Sequence, residues 1–156
     1  MKELIVLGIG NRLMTDDGIG IHIVEELQKT NTNTNIQYVV GETDVYFCLD
    51  QIENALMTII IDAAYLNKEP GSISIVSLEK VSENPVYPIS VHDTHLLDLV
   101  KKSGQYVKGL LIGIEPYEID FGTSLSWVLE SKFIRICKEV KDIIEDCFQN
   151  KKASLE

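Results

Sequence analysis

Three carboxylates and two histidines carry the chemistry this sequence offers. Asp16 and Asp17 are adjacent in Gly8-Ile9-Gly10-Asn11-Arg12-Leu13-Met14-Thr15-Asp16-Asp17-Gly18-Ile19-Gly20, directly behind the apolar run Leu4-Ile5-Val6-Leu7. Asp62 ends a second apolar run, Leu56-Met57-Thr58-Ile59-Ile60-Ile61. His92 and His95 stand close together in Val91-His92-Asp93-Thr94-His95, ahead of Leu96 and Leu97. Two carboxylates and an imidazole converging on one edge would suit a borderline divalent ion such as nickel or zinc. Each residue also has a plainer reading. Asp16 or Asp17 can cap the following helix, Asp62 can accept loop amides, and the histidines can be a solvated loop residue and a helix cap.

Whether these groups meet depends on the elements that carry them. Both apolar runs lack polar alternation and read as strands buried on two faces. They are expected to lie parallel and adjacent, so that Asp17 and Asp62 leave the sheet at the same end, where open α/β sheets collect ligands. Ile19, Ile23 and Leu27 recur at helical spacing up to about Lys29, with Gly20 packed close to the sheet. Ile36–Val40 reads as a strand stopped at Gly41, and Thr43 or Asp44 can cap a helix through Val45, Leu49 and Ile52. Ser72–Val76 alternates like a strand near an edge. Glu79–Ser90 has no convincing period, and Pro85 and Pro88 favour an extended loop there, leading to a short helix that ends before Gly104. Val107–Ile114 is a further strand, and a last helix spans about Ser126–Gln149. The order β-α-β-α-β-β-α-β-α implies a sheet covered on both faces, its parallel pairs joined by right-handed crossovers.

With 156 residues and a hydrophobic fraction of 45%, the chain reads as one domain over 1–150 with a flexible tail at 151–156. A formal net charge of -10 argues against nucleic-acid or anionic-membrane partners. The direct entry into the first strand leaves no room for a signal peptide, and no run has membrane-spanning length, so a cytoplasmic protein is expected. Cys48, Cys137 and Cys147 form no ligand-like pair and read as reduced thiols.

Gly8-Ile9-Gly10 after a strand raises a dinucleotide fold, but the match is weak. The fingerprint needs a glycine near position 13, where this chain has Leu13, and Asp16 and Asp17 would repel a phosphate. Glu42 after the second strand keeps a ribose-binding alternative open.

The Gly8–Gly20 stretch resembles the opening motif of the hydrogenase maturation proteases, endopeptidases that process the large subunit of nickel–iron hydrogenases. The likeness continues through Ile60-Ile61-Asp62-Ala63, His92 with Leu99 behind it, Gly113-Ile114-Glu115-Pro116 and Phe121-Gly122-Thr123-Ser124-Leu125-Ser126. It spans nearly the whole chain in the same order. The resemblance implies a three-layer α/β/α sandwich around a mostly parallel, five-stranded sheet. It also implies that Asp17, Asp62 and His92 are the catalytic and metal-binding residues, with His95 given no fixed role. Nickel would be carried by the substrate, a nickel–iron hydrogenase large-subunit precursor whose C-terminal extension is removed. An open site of this kind would also accept zinc or cadmium. The family uses no serine or cysteine nucleophile, and none stands here on a recognisable elbow. One departure concerns the family's Gly-Gly-Thr-x-Gly stretch after the second strand, which appears here as Val40-Gly41-Glu42-Thr43-Asp44-Val45 and brings another acid near the cleft. The alternative function is a nickel-dependent chaperone or binding module that grips the same precursor without cutting it.

Overall fold

A computed structural model describes residues 1–83, 91–104 and 106–155; of residues 81–83, 91–94 and 151–155 it describes the backbone alone. The elements are β1 (Lys2–Ile9), α1 (Ile19–Thr30), β2 (Ile36–Glu42), α2 (Val45–Glu53), β3 (Ala55–Ala63), β4 (Ile73–Ser77), α3 (Leu78–Glu83), α4 (Val91–Lys102), β5 (Gly109–Ile114) and α5 (Trp127–Leu155). They build a five-stranded sheet in the order β2-β1-β3-β5-β4. All neighbours are parallel except β4, which runs antiparallel along β5 at one edge.

The unbroken apolar runs are explained by a sheet buried on both sides. Alternate residues of β1 enter different cores: Leu4 and Val6 join α1 and α5 residues such as Ile23 and Ile136. Ile5, Leu7 and Ile9 join Cys48 and Ile52 of α2, Leu78 of α3, and Leu96 and Val100 of α4. The same alternation sends Ile59 and Ile61 of β3 to the first core and Ile60 to the second. The molecule is therefore an α/β/α sandwich, as expected. Gly20 explains how α1 can lie so close to the sheet, since a Cβ there would collide with the Ile61 carbonyl oxygen.

β1 and β3 are parallel neighbours, with Gly8 opposite Ile61. The chain goes from β1 outward to β2 and then returns past β1 to β3, so their carboxyl ends flank the point where strand order reverses. Ligand crevices of α/β sheets open at such points.

Four local expectations are revised. Leu78–Glu83 is helical, so the stretch read as an extended loop begins with a turn of helix, while 84–90 lie outside the described residues. Prolines disfavour helix only around their own positions, and Pro85 lies beyond that helix. Helix α4 starts at Val91 rather than after His95, which places both His92 and His95 in its first two turns. Asp62 lies inside β3, one residue before the strand's last. Helix α5 continues past Gln149 to Leu155.

Candidate active site

The site is built on the first turn. Gly10 has φ 135°, a left-handed conformation suited to glycine, and a side chain there would strike the Asp17 carbonyl. That Cβ position would also lie 3.3 Å from Asp62 Oδ1, so the β3 carboxylate sits against the turn that carries Asp17. Asn11 tightens the turn: its side-chain Oδ1 accepts from Leu13 N–H at 2.9 Å, and its own N–H donates to Asp17 Oδ2 at 2.9 Å. Asp62 is fully buried, and Oδ1 accepts from the Ala63 N–H at 2.7 Å. By strand alternation Asp62 shares the face of Ile60, against which α4 packs. Asp17 and Asp62 are thus brought to one edge, as the strand order predicts.

The backbone of His92 lies in the first turn of α4, and its side chain lies outside the described residues. One turn further on, His95 shares a small cavity of about 50 Å³ with Ile9, Glu42, Thr43, Val45, Cys48 and Leu96. The start of α4 is therefore at the same carboxyl edge as the two aspartates. Among the described residues no group of three His, Cys, Asp or Glu is arranged to hold a metal. A larger cavity of about 570 Å³ opens between β4, β5 and the end of α5, lined by Ile75, Leu110 and Ile143 among others, and contains none of the candidate residues.

Asp16 proves to have a role the sequence did not reveal. It is not the cap of α1: the capping position is Gly18, which offers no side chain, and a 3-10 turn, Thr15–Gly18, intervenes. Instead its fully buried carboxylate accepts four hydrogen bonds, from Tyr117 N–H, Glu118 N–H and Ser126 Oγ–H to Oδ2 and from Ser126 N–H to Oδ1, at 2.7–2.9 Å. Ser126 Oγ in turn accepts from Leu129 N–H at the start of α5. Thr15 adds to this clamp from a left-handed backbone (φ 44°): its Oγ1 donates to the Glu118 carbonyl and accepts from Asp120 N–H. A carboxylate adjacent to Asp17 in sequence is therefore a structural tie to residues a hundred positions away. Two consecutive acids look alike in sequence, and the partner loop was the missing information.

Two further groups at this edge were not singled out. Tyr65 follows β3, and its phenol pKa is raised by partial burial and then by the negative charges of Asp16, Glu115 and Asp17. Arg12 bridges Glu25 at 2.7 Å and Glu42 at 3.2 Å, and these bonds hold its guanidinium pKa above the ordinary value despite some desolvation. Glu42 itself has φ 52°, a left-handed conformation where the related glycine-rich stretch would have glycine. Its carbonyl accepts from Gly10 N–H, joining the second strand's end to the first turn.

The geometry leaves the dinucleotide alternative without support. Helix α1 is entered through two carboxylates rather than through free glycine amides facing a phosphate.

The hydrogenase maturation protease family model matches residues 21–145. The chain belongs to the hydrogenase maturation protease family. Its relatives include the hydrogenase expression/formation protein HupD of Thiocapsa roseopersicina, 35% identical over 130 residues, which cover 79% of this chain and 59% of that protein. The corresponding HoxM protein of Azotobacter vinelandii is 33% identical, over 79% of this chain and 63% of that one. The chain thus spans less than two thirds of the length of these two relatives. Among solved structures, the hydrogenase maturating endopeptidase HybD of E. coli superimposes with a TM-score of 0.79 at 27% identity, covering 92% of this chain and 93% of that one. For a member of this family, the edge formed by the Gly10 turn, Asp62 and the start of α4 is the natural place to look for chemistry.

None of the cysteines is poised as a thiolate, although Cys48 borders the cavity beside His95. Burial pushes the Cys48 and Cys137 thiols up to about 12, with nearby acids adding to the shift, and all three cysteines are free.

Proposed function

We propose that this protein is a cytoplasmic endopeptidase that removes the C-terminal extension of a nickel-loaded nickel–iron hydrogenase large-subunit precursor. The observation that carries this reading is the meeting of the Asp17-bearing turn and the Asp62 carboxylate at the point where strand order reverses. It is joined by the family membership of the chain. Among the described residues no helix is long and apolar enough to cross a membrane.

In this reading Asp17, Asp62 and His92 grip the nickel already seated in the precursor. Two carboxylates and an imidazole leave other metal positions for the precursor's own ligands. The metal so held then polarises the scissile carbonyl or activates a water, and an empty precursor is passed over because nothing fixes it at the edge. Glu42 and Thr43 line one side of the cleft and position the departing segment, with His95 beside them and Gly41 buried behind them. Metal dependence belongs to the enzyme–substrate complex rather than to a permanently bound ion.

The test is the mass of a purified precursor before and after incubation with the protein, with and without nickel loading. Loss of a C-terminal fragment only from the loaded precursor is the expected result. Binding of the loaded precursor with no change of mass would instead identify a non-proteolytic chaperone.

A further inference from the structure

We infer that the wall clamped by Asp16 is a docking surface for the folded body of the precursor, through a partner surface with an apolar centre and a basic rim. The inference rests on the proposed reaction for the identity of the partner, and on the following geometry for the surface.

Leu13, Tyr117, Phe121 and Trp127 are 59%, 50%, 87% and 75% exposed. Isolated exposed apolar side chains are ordinary on protein surfaces, but these four fall into two pairs on one clamped segment and the turn it is tied to. Leu13 accepts through its carbonyl from the Gly122 N–H at 2.9 Å, and the adjacent Met14 forms a bridge with Gly122. That places Leu13 beside Phe121. Tyr117 and Trp127 meet edge to face, with ring centroids 6.1 Å apart. Ile134, 85% exposed, lies two helical turns beyond Trp127 on the same stripe of α5.

The segment is held firmly although its side chains gain nothing from being exposed. Asp16 and Thr15 fix residues 117–126 through both backbone and side chain, so its shape is set before any partner arrives. Binding then avoids the entropy loss of ordering a loop, which is the physical use of such a clamp. Aromatic side chains presented on a rigid support are also the groups that dominate interface energies.

Charge decides between partners. Glu118, Asp120 and Glu130 are exposed beside the four apolar residues. A second copy of this chain meeting the patch across a two-fold axis would set those acids against their own images, on a molecule of net charge -10. A surface fringed with lysine and arginine would be drawn to it and held in register. The clamp shares Thr15–Gly18 with the Asp17 side of the site, so a body seated here delivers its C-terminal segment toward Asp17 and Asp62.

The experiment compares wild type, Phe121→Ser/Trp127→Ser and Glu118→Lys/Asp120→Lys in two assays on purified nickel-loaded precursor. One is steady-state cleavage. The other is calorimetric binding of each variant to the nickel-loaded large subunit already lacking its C-terminal extension, which cannot be cut and so reports docking with Asp17 and Asp62 intact. Both variants should raise Kd at least tenfold, with a matching rise in KM and a smaller change in kcat, and raised salt should weaken wild-type binding. The substituted side chains are exposed, so melting temperatures should stay close to wild type. Binding and KM within twofold of wild type for both variants would overturn the inference. So would sedimentation showing a wild-type dimer that Phe121→Ser/Trp127→Ser dissociates. An absence of cleavage by wild type, with binding that still depends on Phe121, Trp127, Glu118 and Asp120, would overturn the proposed reaction and leave the docking surface standing.

Discussion

On one side of the carboxyl edge, residues 117–126 are tied to the first turn by Asp16, a fully buried carboxylate with both oxygens saturated by N–H and O–H donors. On the other side, the Gly41–Asp44 corner is tied to the same turn by one backbone hydrogen bond, from Gly10 N–H to the Glu42 carbonyl, and by Arg12, whose side chain is 36% exposed and meets a Glu42 side chain that is 54% exposed. Both ties use charge, but their physical worth differs. Charge-assisted bonds out of reach of water are strong, and removing one partner strands the others. An ion pair in water contributes about 0–1 kcal/mol. The clamped wall is therefore fixed and the Glu42 wall adjustable, with the candidate catalytic aspartates between them. A processing enzyme gains from this division: one side can hold a large, constant body while the other accommodates a variable segment.

The largest expected effect lies between the walls. Asp17→Asn and Asp62→Asn should each reduce nickel-dependent precursor cleavage by at least about 100-fold, because an amide is a poor metal ligand. Folding should survive with a loss of roughly 1 to 2 kcal/mol at most. His92→Ala should behave in the same way and His95→Ala more mildly, and the reverse order would make His95 the ligand. Cleavage rates beside circular dichroism and melting curves check this. Full cleavage by the folded Asp17→Asn and Asp62→Asn variants would remove the metal-triad reading.

Next comes the clamp itself. However the new amide in Asp16→Asn is turned, its NH2 faces a backbone or hydroxyl donor. A stability loss of about 2–4 kcal/mol is expected in urea unfolding, larger than that of Asp62→Asn, while turnover of the folded fraction falls less. Stability equal to wild type would mean that the two walls do not differ as described.

The Glu42 wall should respond weakly. Arg12→Ala should change stability by no more than about 1 kcal/mol. Glu42→Gly loses the ion pair but relieves a left-handed backbone, so its net effect should also stay within about 1 kcal/mol. The informative readout is selectivity: if this wall is the adjustable one, Glu42→Gly should alter cleavage of different precursors by unequal factors. Equal factors for all would argue against it.

The smallest effect concerns His22, whose Nε2 is buried near Gly18 with no hydrogen-bond partner among the described residues. Burial lowers its pKa below 6.5, aided by Arg12 and opposed by Glu25 and Glu130. The folded state then binds fewer protons than the unfolded chain between the lowered value and 6.5, so stability must rise with pH in that window. Acidification from pH 7 toward 5 should lower the stability of wild type more than that of a His22→Gln variant. Parallel pH profiles of urea midpoints would refute this.

The sequence by itself determined the layer plan and the position of the two aspartates. Continuous apolar runs mean strands covered on both faces, and a carboxylate at a strand's end goes where the strand points. Parallel neighbours then bring Asp17 and Asp62 to one edge without further information. The resemblance carried by Gly8–Gly20, Asp62–Ala63 and Gly113–Pro116 likewise assigned the family, because it was spread in order along the chain. Three things were left to tertiary structure. Asp16 and Asp17 are neighbours of equal charge, and only the return of residues 117–126 to the first turn makes one a buried clamp while its neighbour remains at the cleft. Glu42 looks like a lost glycine in sequence, whereas folded it still takes the left-handed backbone and pairs with Arg12. The start of α4 carries no signal of its own in the sequence because the stretch before it has no period, while Leu96 and Val100 gain their burial only against a sheet assembled from distant strands. Local pattern fixes what a segment can bury, but which polar group finds which partner is decided by contacts between segments far apart in the chain.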